Sequence, residues 1–329
     1  MRLQIVCTVL GLAFFGAAAS GQSTPATGAQ VDSAQIYLEK GRELFQADKN
    51  NEALASFERA LALKPAFEEA WRGKGVVLWR LDRQEEAMAA TEKALELKPD
   101  DYKAWKNKGR IFLRMGKNEE ALKTFQKASE LKPDDDEALM GQWSTLRELG
   151  RIDDMLKALD QMIQLKPDDP QRWLRKAMEA AEAGRPEVGL QAFEKLGELL
   201  PDSAYVWIGQ GQCLMAMNRL DDALKALDKA SSMQPNNMDA WNIKGAVQSK
   251  MKRYDDAVVC YNKAAQLRPQ VADPVYNRAC AYALKGDKTK ALADLKKAIE
   301  LNGECKAAAP KDEDFKSLWN DPEFKKMTE

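Results

Sequence analysis

Residues 102–135 read YKAWKNKGRIFLRMGKNEEALKTFQKASELKPDD, and the fold can be read from this stretch. Its apolar residues recur at helical spacing, first Trp105, Phe112 and Leu113, then Ala121, Leu122, Phe125 and Ala128. The segment therefore holds two short amphipathic helices. The second stops at Leu131-Lys132-Pro133, because proline cannot continue a helix, and Asp134 is placed to cap the next one. Asp100 and Asp168 stand at the equivalent points.

The same punctuation extends in both directions. Prolines fall at Pro65, Pro99, Pro133, Pro167, Pro201, Pro235 and Pro269, a constant interval, and Gly303 fills the next slot. Tryptophans keep the same interval at Trp71, Trp105, Trp173, Trp207 and Trp241. Setting each unit to start three residues before its Trp slot gives eight: 34–67, 68–101, 102–135, 136–169, 170–203, 204–237, 238–271 and 272–305. Two short helices bury too little surface alone, so neighbouring units must stack into a continuous core.

This pattern resembles the tetratricopeptide repeat (TPR). That family favours a bulky residue at position 4, small at 8, bulky at 11, small at 20, aromatic or bulky at 24, small at 27 and proline at 32. The third unit supplies Trp105, Gly109, Phe112, Ala121, Phe125, Ala128 and Pro133. The resemblance covers residues 34–305 and implies an all-α fold, a right-handed α-solenoid of about eight 34-residue helix-turn-helix repeats. Residues 306–329 break the period and resemble the terminal motif that closes many prokaryotic arrays of this kind. There, Phe315, Leu318 and Phe324 can cover the last helix.

Some positions depart from the family pattern. Lysine holds position 7 in Lys40, Lys74, Lys108, Lys176 and Lys244, read here as stems lying along the helix pair with ammonium groups in water, not as a charge ladder. Trp143 stands where close helix approach wants a small residue, and Met155 and Met162 replace both expected alanines; Gly189 and Leu196 continue the irregularity. Larger side chains at such points should push helices apart, leaving either a compensated repacking or a hinge or partner contact.

Composition excludes several classes of function. Lys+Arg number 50 against 51 Asp+Glu, a net charge of −1, which provides no general attraction to nucleic acid. Histidine is absent, which removes His-based nucleophile pairs, His-ligated metals and imidazole switching. No GxxxxGK[ST] phosphate loop occurs. The expectation is a protein without catalytic residues, cofactor or metal site. Arg2 followed by the apolar run Ile5–Ala19 and the small-residue tract to Gly21 marks residues 1–21 as a signal peptide of an exported protein, with residues 22–33 a flexible leader. With that segment cleaved, nothing suggests an integral membrane protein. Cys213, Cys260, Cys280 and Cys305 show no CxxC spacing; a disulfide and buried thiols both remain open.

The resemblance implies that the first helix of each pair lines a concave groove through positions 2, 5, 9, 12 and 13. Those positions give Arg42, Arg72, Trp79, Arg80, Lys103, Lys106, Arg110 and Arg114, a cationic strip with Glu69 as the one acid read among them. From the fifth unit onward they give Leu174, Met178, Tyr205, Ile208, Met215, Asn242 and Tyr276, an apolar and aromatic half. The expected partner is a protein or peptide segment with an acidic end and apolar side chains, held mainly by the apolar anchors. The well-known carboxylate clamp of the family would need Leu38, Arg42, Gly73, Lys103 and Asn107 to be its ligands, and only Lys103 matches. Self-assembly into a structural homo-oligomer through the apolar half is the alternative.

Overall fold

A computed structural model describes residues 28–329, with side chains from Ser33 onward. The signal segment 1–21 and the first part of the leader lie outside the described residues. Every regular element among the described residues is helical. Contacts divide them into two bodies, one reaching Asn107 and one starting at Lys108.

The first body contains α1 (Gly28–Gln46), α2 (Asn50–Leu63), α3 (Glu68–Arg80), α4 (Gln84–Leu97) and the start of α5 (Tyr102–Arg114). Since α1 starts at Gly28, part of the 22–33 stretch expected to be a flexible leader is helical. Extending an existing helix by a turn avoids the nucleation cost, so the weakly apolar leader can follow it. The second body continues with α6 (Asn118–Leu131), α7 (Asp136–Glu148), α8 (Ile152–Leu165), α9 (Pro170–Glu182) and α10 (Pro186–Leu199). It goes on through α11 (Ala204–Ala216), α12 (Leu220–Met233), α13 (Met238–Lys250), α14 (Tyr254–Leu267), α15 (Asp273–Lys285) and α16 (Lys288–Leu301). The short α17 (Glu304–Ala308), two 3-10 turns and α18 (Pro322–Thr328) end the chain.

The proline–tryptophan interval has a direct physical cause. The indole Nε1–H of Trp71, Trp105, Trp173 and Trp241 donates to the carbonyl of Pro65, Pro99, Pro167 and Pro235 at 2.7–2.9 Å. Each ring thus ties its helix to the turn that introduces it. The turn inside each pair is equally regular: Asp48, Asp82, Gly116, Gly150, Gly184, Asn218, Lys252 and Gly286 all adopt positive φ. Asp, Asn and Gly tolerate that conformation; Lys252 adopts it because its neighbours in the repeat impose it.

The caps fall one residue later than expected. Asp135 accepts from the Ala138 N–H, Asp169 from Gln171 and Asp101 from Lys103. Asp100, Asp134 and Asp168 instead occupy the preceding turn. The two-residue turn after each proline must close before a capping side chain can fold back on the helix.

Stacking follows an alternation at twice the repeat length. Phe57, Phe125, Phe193 and Tyr261 recur in every second repeat, whereas Thr91, Leu159, Leu227 and Leu295 fill the same slot between and after them. In the first body the Phe57 ring lies against Gly41 and Gly73, where a Cβ would come within 2.8 and 2.6 Å of it. In the second body Phe125 is held in the same way between Gly109 and Gly141, and Phe193 lies against Gly209. An aromatic wedge between bare backbones sets the spacing of one helix pair against the next.

The fourth repeat breaks this scheme. Within the second body, α7 and α8 make the sparsest contact of any helix pair within a repeat, and α8 and α9 the sparsest between successive repeats. Trp143, Met155 and Met162 occupy the close-approach positions, so the helices part as expected from their bulk. Arg172 spans the loosened joint: only 5% exposed, it donates to the Met162 carbonyl and pairs with Asp169 and Asp136. At the end of the chain, Phe315, Leu318 and Phe324 are buried against Ala279, Cys280, Leu292 and Leu295 of α15 and α16.

Candidate binding surface

The candidate surface is built from the first helices of successive repeats. In the first body its three arginines are already paired. Arg42 pairs with Glu69 at 2.6 Å and with Glu39 at 2.8 Å. Arg72 pairs with Asp101, whose side chain is only 5% exposed. Arg80 reaches Asp48 at 3.1 Å and stacks over Phe45. Lys106 is buried, with its ammonium over the Tyr102 ring at 5.3 Å. Lys103 is exposed, and Trp79 is half-buried on α3.

In the second body, Arg110 pairs with Glu137 at 3.1 Å and Arg114 is exposed. Arg42–Glu69 and Arg110–Glu137 share one rule, a cation at position 9 of a repeat bridging to an acid at position 2 of the next. Much of the expected cationic strip is therefore engaged within the chain: Arg42, Arg80 and Arg110 pair with acids of a neighbouring repeat, and Arg72 pairs within its own. The sequence pattern hid this because the acids arrive from neighbouring repeats and turns.

The position-7 cations follow a second rule that corrects the expectation of simple snorkelling. Lys74 pairs with Glu58 at 2.9 Å, Lys244 with Asp228 at 2.6 Å, and Lys176 with Asp160, each acid lying on the second helix of the preceding repeat. Lys74 and Lys244 also lie over Trp71 and Trp241. The stems are largely buried, but the charges form a ladder between repeats.

From the fourth repeat onward the surface turns apolar. A pocket of about 310 Å³ opens between α7 and α9, lined by Trp143, Leu174, Met178, Arg147, Arg175 and the Glu179 side chain, with Gln171 and Glu182 at its edge. Met178 is 40% exposed and Tyr205 47%. They hold positions 9 and 2 of successive repeats, the slots that Arg42–Glu69 and Arg110–Glu137 bridge at two other joints, and two large side chains stand exposed there instead. Arg175 stacks on Trp143 at 4.3 Å, and Arg147 stands 3.7 Å from Glu179. Burial raises the Glu179 carboxyl above its ordinary range against the pull of Arg147. Burial likewise raises the Tyr205 phenol, with Glu182 adding to the effect.

Of the lining residues, sequence reasoning assigned Leu174 and Met178 to the site; Trp143 is the largest of those it did not. Its signal was present as the misfit at a small-residue position: the indole packs against the core around Leu139, Leu146 and Met155 and also lines the pocket.

The other expected residues divide. Leu174 and Met215 are half-buried. Ile208 is only 6% exposed and packs with Ala230 and Ala240, so it belongs to the core; a branched side chain there closes onto the next repeat. Asn242 accepts from the Asn277 amide at 3.1 Å. Tyr276 donates its hydroxyl to Asp312 at 2.9 Å and packs on the Phe315 ring, so it fastens the terminal segment. Cys280 stands 3.7 Å from the same carboxylate. Cys213, Cys260, Cys280 and Cys305 are all buried free thiols.

Helix pairs of fixed length that touch mainly their neighbours define a helical-repeat array, a class that presents extended surfaces rather than a reactive centre. Residues 94–205 match the TPR domain of cytochrome c-type biogenesis protein H. Residues 38–102, 180–247, 239–271 and 272–305 match tetratricopeptide-repeat models. The chain is a tetratricopeptide-repeat protein. No curated protein matches its sequence.

Similar solved structures include the Naa15/Naa10 complex bound to HypK-THB, 15% identical over 90% of this chain and 50% of that one, with a TM-score of 0.61. YrrB, described as a TPR protein with an unusual peptide-binding site, is 23% identical over 56% of this chain and 95% of its own, at a TM-score of 0.46. A tetratricopeptide-repeat protein from Parabacteroides merdae is 16% identical over 72% of this chain and 94% of its own, also at 0.46. At these identities the likeness is one of fold. Among the described residues, no helix is long and apolar enough to cross a membrane.

Proposed function

We propose that this protein is an exported, non-enzymatic scaffold that binds a segment of another protein along the first helices of its repeats. The anchoring region is the Trp143–Leu174–Met178 pocket, together with Tyr205 on α11. One observation carries this reading: Met178 and Tyr205, large side chains on successive first helices, are left 40% and 47% exposed at the two positions that Arg42–Glu69 and Arg110–Glu137 bridge at other joints. Such side chains supply most of the affinity of an interface, whereas exposed charges contribute about 0.2–1 kcal/mol each and mainly orient the partner. The arginines are engaged within the chain, so the ligand is recognised first by its apolar residues. An acidic end would have to compete with Glu69, Asp101 and Glu137 for them. Export is supported by the composition of residues 1–21, and sequencing the N-terminus of the mature protein checks it.

The test is retention of a partner from the exported fraction by the mature chain, wild type against Met178→Glu/Tyr205→Glu. At least a tenfold loss of retention is expected, with unchanged helical content. A partner held equally well by the double variant would remove this region from the site. A ligand-free chain found only as a discrete oligomer would favour self-assembly instead.

A further inference from the structure

A second cleft, of about 690 Å³, lies on the side of the second helices, between α6, α7 and α8. It shares no lining residue with the Trp143 pocket. Its origin can be read from the charge ladder. At the joints held by Lys74–Glu58, Lys176–Asp160 and Lys244–Asp228, position 7 of one repeat meets an acid at position 25 of the repeat before. At the joint between the third and fourth repeats these two positions are Gln142 and Gln126. Two carboxamides stand there instead; the ladder is also interrupted at Glu194/Gln210 and Asn262/Arg278, but at this joint the parted α7 and α8 leave space beside it.

The lining is polar without free charge. Gln126, Gln161 and Gln164 are exposed around the opening, while Gln142 is 8% exposed and held by a 2.7 Å bond to the Ser129 hydroxyl. The carboxylate in the lining, Glu130, is paired with Lys127 at 3.0 Å. Pro133, Leu139 and Leu165 supply the apolar part.

Each carboxamide offers two donors and an acceptor and carries no charge. A lining of this kind gives no reward for bringing in a charged group, which would lose its hydration. It complements a ligand whose surface alternates donors and acceptors at zero charge. The volume is that of a ligand site, since such pockets span roughly 300–1,000 Å³. An extended polypeptide fits both parts of the lining: its main-chain N–H and C=O groups meet the glutamines, and alternate side chains fall on one side, toward the leucines and the proline. No aromatic ring lines the cleft, so the flat apolar face on which a sugar ring would stack is missing.

We propose that this cleft is a second binding site, taking an extended, uncharged polypeptide segment of a partner through its main-chain amides. The inference is independent of the Trp143 pocket.

The test uses the full mature chain, immobilised, and capped hexapeptide pools. One pool is built from Gly, Ser, Thr and Leu; two more carry Glu or Lys in place of Ser and Thr; a fourth is the neutral pool with N-methylated main chain. The neutral pool should be retained at least tenfold better than the other three. Gln126→Glu/Gln161→Glu should lower that retention at least tenfold, and Gln164→Ala should lower it severalfold. All three positions are exposed, so each variant should keep the wild-type circular dichroism. Leu174→Ala/Met178→Ala should leave retention unchanged, which separates this cleft from the groove. The proposal is overturned if the neutral pool is not retained, if N-methylation or the glutamine variants leave retention intact, or if maltohexaose displaces the pool at lower concentration than the free peptides do.

Discussion

Replacing Gly141 by alanine tests the aromatic-wedge account of how successive repeats are spaced. A Cβ at Gly141 would lie 2.5 Å from two carbons of the Phe125 ring and 2.7 Å from a third. Phe125 is only 2% exposed and has Gly109 on its other side, so it cannot swing away. Overpacking of this kind costs about 1–3 kcal/mol, and the gain in helix propensity from Gly to Ala returns up to about 1 kcal/mol. A net loss of about 1–2 kcal/mol is expected. Phe125→Leu, which installs the side chain that Leu159 and Leu227 present in the alternate repeats, should cost about 1 kcal/mol by itself. In the Gly141→Ala background it should cost nothing further or restore stability, because it removes the atoms the new methyl strikes.

Urea denaturation followed by circular dichroism and tryptophan fluorescence gives all four corners of the cycle, with an expected coupling of about 1–2 kcal/mol. Gly303→Ala serves as the control: no atom lies within 4 Å of its Cβ position and its φ is −58°, so the change should be neutral or stabilise by about 0.4–1 kcal/mol. If Gly141→Ala is as stable as wild type, or if the two changes simply add, the wedge does not set the spacing.

Three more perturbations have defined outcomes. Trp71→Phe removes the 2.8 Å bond to the Pro65 carbonyl and should lower stability by about 1 kcal/mol, seen as an earlier urea midpoint. Burial pushes the Cys213 and Cys260 thiols up to about 11, so both should react with a thiol reagent at pH 8 only as fast as the protein opens, and at once in denaturant. In the terminal segment two carboxylates work in opposite directions. Lys288 holds Asp321 below its ordinary range, a contribution present above the unfolded pKa and lost as pH falls through the lower folded value; burial, aided by Asp312, raises Asp314, whose ionisation weakens the fold as pH rises. Asp314→Asn should therefore strengthen hydrogen-exchange protection of α18 at pH 7, whereas Asp321→Asn should weaken it.

The sequence made the repeat legible because it repeats local chemistry: a proline that ends a helix and a tryptophan that bonds back to it recur together at one interval. What it concealed were contacts whose partners come from the next repeat. Arg42 and Arg110 look like free cations until Glu69 and Glu137 are brought beside them. Ile208 looks like a groove residue because position 5 faces the groove on average, yet in the sixth repeat it meets Ala230 and Ala240. Tyr276 falls at a groove position too, but the aperiodic tail returns to bond it. Lys252 could not be read as a left-handed residue from its identity, only from its place in register with Gly116 and Gly150. The misfit at Trp143 was visible, and its consequence for helix spacing was the right inference. Which face it would line needed the structure.

These errors share a physical origin, and it bears on where function resides in such an array. Much of the regular repeat satisfies itself: Arg42, Arg110, Lys74, Lys176 and Lys244 find acids on a neighbouring repeat, and Phe57 and Phe125 lie against glycines. Little is left over for a partner. Binding capacity arises where that closure fails and space is left beside it: between the third and sixth repeats Trp143 stands at a small-residue position, Gln126 and Gln142 stand where Glu58 and Lys74 pair, and Met178 and Tyr205 stand where Arg42 and Glu69 pair. Each substitution removes an internal partner and leaves a surface with unused apolar area or hydrogen-bonding capacity. Restoring the regular pattern should therefore close the sites without harming the fold. Gln126→Glu/Gln142→Lys rebuilds the ladder pair and Met178→Arg/Tyr205→Glu the position-9 bridge, so a chain carrying all four should be at least as stable as wild type and bind neither ligand.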